Sequence, residues 1–292
     1  MHLPTEFLLR AGPRRAGKRR AARPHKQWPA LLLALALAPS TGATAEELIT
    51  LKTRDTATQS YLLAAPGPGK TLALAVLFSG GDGKLDLPAW RGNTLRERGN
   101  FLVRSRQLFV DRGVATAVVG APTDHADGMP NSFRKHEMHA QDVQAVIGDL
   151  KRRFAGAPVF LIGTSMGTVS AAYVGRALAA QLAGVALTAS AFVASGRRSA
   201  HGDSNLAGFD FDSIKAPLIF VHHSEDGCGT TPYAEARRHS GRHPLISVTG
   251  GHPPHTGPCE ALSAHGFLGR EEPTVDAIVN WMLKKPYPKE IK

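Results

Sequence analysis

Three residue types arranged around one short motif could do nucleophilic chemistry in this chain. Gly163-Thr164-Ser165-Met166-Gly167 follows the apolar run Val159–Ile162 and precedes Thr168–Val174, a stretch of small residues that reads as a helix. A strand that meets a helix through Gly-x-Ser-x-Gly makes a turn too tight for ordinary backbone, and it thrusts the serine hydroxyl out of the sheet edge. The glycines at 163 and 167 are required because side chains there would collide with neighbouring backbone. The Met166 N–H, at the start of the helix, would lie beside any oxyanion formed at Ser165. A bare Gly-x-Ser-x-Gly is common by chance; the flanking strand and helix give this one its meaning.

An activated serine needs a base, and the base needs an orienting carboxylate. The apolar strand Pro217–His223 leads into Ser224-Glu225-Asp226-Gly227, and Asp226, where the loop turns, is the expected acid, with Glu225 as the alternative. For the base, His252, His255 and His265 all follow the run Leu245–Val248. His252 has the commoner spacing. His265 has the cysteines in its favour: Cys228 is close after Asp226 and Cys259 close before His265, so a bond between them would pin the acid loop to the base loop. The sequence alone does not show that they pair. A second oxyanion donor is expected in Ser79-Gly80-Gly81-Asp82-Gly83, from Gly81 or Asp82, because glycines let backbone N–H groups approach a substrate oxygen.

Two other motifs lead nowhere. Residues 64–71 satisfy a loose phosphate-loop pattern, yet a strand run follows where a helix is needed, and Pro66 and Pro68 remove two amides, so a hairpin turn is expected. The thirteen histidines invite a metal, but no spacing matches a zinc pattern, and the adjacent His222 and His223 on a strand point to opposite faces. No metal and no cofactor is expected.

The elements that must position these residues alternate. Glu47–Lys52 and Gln59–Ala65 read as an antiparallel pair, followed by strands at Leu72–Phe78, Val114–Gly120, Val159–Ile162, Gly184–Ala189, Pro217–His223 and, as the last, Leu245–Val248. Helices are expected over Asn100–Arg112, Phe133–Phe154, the segment after Ser165, Tyr233–Ser240 and Val275–Leu283, with a polar loop at Ser195–Asn205. Strands alternating with helices imply a doubly wound, mostly parallel α/β sheet with helices on both faces and no large cap domain.

The chain has 292 residues and a formal charge of +11. Residues 1–45 hold eight Lys or Arg and one acid, Glu6; the rest is 27 basic against 23 acidic, so nucleic-acid binding loses its main support. That leader has a long basic region ending at Lys26, an apolar run Trp28–Ala38 and small residues Ala43-Thr44-Ala45, the three parts of a secretory signal. Cleavage is expected before Glu46, leaving 46–292 as one domain, periplasmic or secreted. The apolar run is too short to span a bilayer, so no membrane span is expected. Oligomeric state has no signature.

The elbow, glycine-rich loop, acid and histidine in that chain order resemble the α/β-hydrolase superfamily over nearly the whole mature chain. More narrowly, Phe78–Gly83, Asn100–Arg106, Gly163–Thr168 and Cys259 followed by His265-Gly266-Phe267 resemble the exported hydrolases of proteobacteria. The resemblance implies a Ser165–Asp226–His265 triad and favours His265 over His252. Here Ser79-Gly80 replaces the usual His-Gly at the start of the oxyanion loop. The expected activity is that of a serine hydrolase acting on a small carboxylic ester, the alternatives being a peptidase on short peptides or a non-catalytic binding protein on the same scaffold.

Overall fold

The computed structural model describes residues 46–87, 97–194 and 205–292. The leader, and most of the loop expected at Ser195–Asn205, lie outside them.

Among the described residues nine strands form one sheet: β1 Glu47–Arg54, β2 Ala57–Ala64, β3 Ala73–Phe78, β4 Val114–Val119, β5 Val159–Ser165, β6 Gly184–Ser190, β7 Leu218–His223, β8 Leu245–Val248 and β9 Glu290–Ile291. Their spatial order is β1-β2-β4-β3-β5-β6-β7-β8-β9. β1 pairs with β2, and β2 with β4, antiparallel; every later pairing is parallel. The central strands are apolar without alternation because both of their faces are covered. In β3, Leu74, Val76 and Phe78 point into one core, while Ala73, Ala75 and Leu77 point into the other. β5 and β7 divide in the same way, with Leu161 and Phe220 on the first side and Ile162 and Val221 on the second.

Among the described residues the α-helices are α1 Phe101–Arg104, α2 Arg106–Asp111, α3 Asn131–Arg134, α4 Glu137–Arg153, α5 Gly167–Ala177, α6 Tyr233–His239 and α7 Glu271–Met282, and all but α3 supply those cores. α4, α5 and α6 pack on the Phe78 side; α1, α2 and α7 pack on the Leu77 side. Leaving β3, the chain passes through α1 and α2 to β4, and returns through α4 on the opposite face to β5. The order therefore reverses at β3 and β5, and in an open α/β sheet such a reversal opens a crevice at the carboxyl ends of the strands. The two glycine-rich turns, Ser79–Gly83 and Gly163–Gly167, stand at that crevice. Residues 66–71, the phosphate-loop lookalike, lead into β3 but do not form the expected hairpin turn, because β4 lies between β2 and β3 in the sheet.

The structure corrects four further expectations. The helix expected over Asn100–Arg112 is two short helices broken at Ser105, which lets Phe101–Val103 and Phe109–Val110 all reach the core. The helix expected from Phe133 begins again at Glu137, because the His136 ring accepts the Met138 N–H at 3.2 Å and caps α4 there. α7 starts at Glu271 rather than Val275, since Pro273 is tolerated in a first turn. β9 follows β8 and was not foreseen, two residues being too few for a pattern.

Two buried histidines strain this packing. His139 on α4 lies 5.8 Å from Phe78 and 5.4 Å from Phe133, ring to ring, with neither nitrogen hydrogen-bonded. His222 on β7 accepts the Ser190 N–H at 2.6 Å, so it is neutral. Burial pushes their pKa values down to about 3 and about 4. Below about pH 6.5 the unfolded chain protonates at both sites while the native chain does not, so the folded state loses ground as pH falls. Equilibrium urea unfolding between pH 7 and 4.5 should show the contribution of each histidine to the folded-to-unfolded ratio dropping roughly tenfold per pH unit below about pH 6. His139→Phe should remove one of these two dependences, and an unchanged slope in that variant would refute the assignment.

Candidate active site

Ser165 is the last residue of β5, with φ +52°, a left-handed conformation that few non-glycine residues hold. The cause is steric. A Cβ on Gly163 would stand 2.4 Å from the carbonyl oxygen of Gly167, and one on Gly167 would stand 2.2 Å from the carbonyl oxygen of Phe78. Both glycines therefore permit backbone contacts that bring β3, β5 and the start of α5 together. Gly80 also lies close, though less so: its Cβ position is 3.0 Å from the Cβ of Ser165. The Thr168 hydroxyl donates to the Ser165 carbonyl at 2.5 Å and accepts the Ala191 N–H at 3.1 Å, tying the elbow to the end of β6.

The expected acid and base are adjacent in space. His265 Nδ1 lies 3.0 Å from Asp226 Oδ2, the carboxylate is fully buried, and the imidazole is only 5% exposed. The Cys228 N–H donates to Asp226 Oδ1 at 2.9 Å, and the Thr231 hydroxyl donates to Oδ2 at 2.8 Å. With those donors the carboxylate is held as an acceptor for a proton on Nδ1, which leaves Nε2 as the basic ring nitrogen. Thr231 had no signature in the sequence, a threonine near a turn being commonplace.

Ser165 and His265 line one pocket of about 430 Å³; neither His252 nor His255 does. His252 instead lines a separate pocket with Pro253 and Pro254. Glu225, the alternative acid, accepts the Gly250 N–H at 3.3 Å in an exposed position. His223 donates from Nε2 to the Gly250 carbonyl at 2.8 Å and so faces away from His222, as the strand alternation requires. Among the described residues no group of three or more His, Cys, Asp or Glu is placed to hold a metal ion.

Of the expected oxyanion donors, Gly81 lines the pocket. Met166 follows Ser165 as the N-cap of α5. Asp82 is not in that lining; its carboxylate accepts the Lys84 N–H and its carbonyl the Met129 N–H, each at 2.8 Å. Beneath that loop lies Arg134, fully buried, which donates to the Gly81 carbonyl at 3.0 Å and to the Ser170 hydroxyl on α5 at 2.9 Å. It thereby bridges the glycine-rich loop and the elbow helix. Arg104 does the same for the histidine loop, donating to the carbonyls of Gly99 and Gly266 at 2.5 Å and to Glu271 at 2.7 Å.

Known proteins share this architecture. Est1E from Butyrivibrio proteoclasticus superposes with a TM-score of 0.54 at 14% identity, over 81% of this chain and 98% of its own. A serine hydrolase without a lid from Xanthomonas campestris gives 0.54 at 13%, over 83% and 98%. Monoglyceride lipase from Saccharomyces cerevisiae gives 0.54 at 12%, over 84% and 97%. The fold is that of the α/β hydrolases. Within this α/β-hydrolase fold, residues 125–244 match the sequence family described as serine aminopeptidase, S33, a stretch that takes in Ser165 and Asp226 and ends before His265. No curated protein matches in sequence.

Cys228 and Cys259 are bonded to each other across a separation of 31 residues, joining the loop of Asp226 to the loop of His265. Replacing both with serine should lower stability by about 3.7 kcal/mol, the chain-entropy value for a loop of that size. Urea melts with and without dithiothreitol check this: reductant should shift the wild type and leave the double variant unmoved.

Proposed function

We propose that this chain is an exported serine hydrolase that cleaves carboxylic esters of modest size through an acyl-enzyme, with residues 46–292 as its mature domain in the periplasm or outside the cell. The observation that carries the proposal is Ser165, on its strained turn, sharing a pocket with a histidine already paired to a buried carboxylate. His265 Nε2 removes the Ser165 proton as Oγ adds to the ester carbonyl. The carbonyl π pair moves to oxygen, where the N–H groups of Met166 and Gly81 receive it. His265 then protonates the departing alkoxide, and water, deprotonated by the same ring, releases the acid. Asp226 keeps the proton on Nδ1 and stabilises the imidazolium. The pocket's lining includes Phe101, Ala261 and Leu262 beside glycines and polar groups, which suits short acyl chains. Export is supported by the basic and apolar leader and by the disulfide, a bond that persists in oxidising compartments.

A second reading is favoured by two features. The matching family is described as serine aminopeptidase, and Glu260 lines the pocket that holds Ser165, where its carboxylate would attract a substrate ammonium. Acting on an amino-acid amide would use the same nucleophile and base.

Hydrolysis of p-nitrophenyl acetate and butyrate, set beside that of aminoacyl p-nitroanilides, separates the two. Ester turnover should exceed anilide turnover, and Ser165→Ala should lower it at least about 10³-fold. His265→Ala should be comparably damaging and His252→Ala nearly silent. Equal ester turnover by wild type and Ser165→Ala would end the proposal. A fluorophosphonate probe should label Ser165, which a purely binding protein would not permit.

A further inference from the structure

Asn100 stands at the turn from the glycine-rich loop into α1. It caps that helix: its Oδ1 accepts the Leu102 N–H at 3.2 Å. This bond settles the orientation of the amide, with oxygen toward the helix and nitrogen away from it. On the nitrogen's side lies Gly80. The Cβ position of Gly80 is 3.2 Å from Asn100 Nδ2 and 3.0 Å from the Cβ of Ser165, so the amide and the nucleophilic residue both lie close to one point. Asn100 is 8% exposed and lines the pocket of Ser165 and His265. Its Nδ2 donates to no group among the described residues.

Capping does not require that nitrogen. A helix N-cap needs only an acceptor oxygen, which serine or aspartate supplies as well. What asparagine adds here is a donor, more than nine-tenths buried with its residue, in the lining of the pocket that holds Ser165 and His265.

We propose that Asn100 is a catalytic residue, whose Nδ2 donates a hydrogen bond to the carbonyl oxygen of the substrate as that oxygen gains charge. The inference rests on the esterase reading above. As Ser165 Oγ bonds to the carbonyl carbon, the π pair withdraws to oxygen, and the Asn100 amide meets the new charge beside the backbone donors. Because the cap already holds the amide, and Arg104 holds the neighbouring Gly99 carbonyl, little reorganisation accompanies the step. No proton is transferred from Asn100.

Two variants keep the cap and delete the donor: Asn100→Ser, which is neutral, and Asn100→Asp, which is isosteric. Both should melt within a few degrees of the wild type. In both, kcat for p-nitrophenyl butyrate should fall about 10²- to 10³-fold, with KM little changed, the range seen when one side-chain oxyanion donor is removed. Affinity for a trifluoromethyl ketone, which forms a tetrahedral adduct with the serine, should fall in parallel with kcat/KM. If a variant is less stable, both measurements are made at a temperature where it is fully folded. Retention of kcat within a few-fold in Asn100→Ser, or an effect confined to KM, would overturn the inference while leaving the esterase reading intact. A wild type that neither hydrolyses esters nor reacts with fluorophosphonate would remove both.

Discussion

The close backbone approach at Gly163 and Gly167 is the constraint on which the arrangement of the site depends. No side chain fits where the Gly167 carbonyl meets Gly163 or where the Phe78 carbonyl meets Gly167. That contact brings the ends of two parallel strands and the first turn of a helix into one small volume, and Ser165 takes a left-handed conformation as the result. Such a residue costs on the order of 1–3 kcal/mol and persists only where its surroundings over-determine it. Here they do: β3, β5 and β6 are buried on both faces, and their hydrogen-bonded register leaves the turn no alternative path. Gly80 extends the same logic, since its missing side chain lets the glycine-rich loop lie against the nucleophile.

The other half of the site has no such framework. Asp226 and His265 come from loops beyond β7 and β8, where strand pairing no longer dictates position. Side chains do that work instead. The disulfide links the two loops, the Cys228 N–H and Thr231 hydroxyl fix the carboxylate, and Arg104 draws the carbonyls of Gly99 and Gly266 together. Phe101 against Phe267, ring centroids 4.7 Å apart, seals the same junction from below. Asn100 therefore sits in a turn held from several directions, and a donor held in that way can act on a transition state. Arg134 plays the matching part on the opposite face, where one guanidinium spans the loop of Gly81 and the helix that follows Ser165.

Much of this was legible before any coordinates, for reasons that can be stated residue by residue. Unbroken apolar runs such as Ala73–Phe78 and Leu218–His223 announce strands covered on both faces, and so a parallel sheet between two helical layers. Gly-x-Ser-x-Gly between such a run and a helix announces the elbow, because only glycine tolerates those contacts. Local chemistry dictates these features, so local sequence carries them. The breaks at Ser105 and His136 were not legible, since the first is set by what the two flanking helices bury and the second by a histidine ring acting as a helix cap, neither of which is a breaker residue.

Tertiary structure alone decided the rest. Three histidines follow β8, and which of them shares a pocket with Ser165 depends on the path of the loop from Gly250 to Leu268, which the disulfide and Arg104 direct. Thr231 and Arg134 carried no signal, and Asn100 only the outline of a resemblance with no role attached, because a threonine in a turn, an arginine ending a short helix and an asparagine before one are ordinary. Their significance is a matter of distance to residues far away in the chain. Backbone conformation is governed by neighbours a few residues apart and can be read from the sequence; the meeting of side chains from separate loops follows from packing the whole sheet, and appears only once the chain has folded.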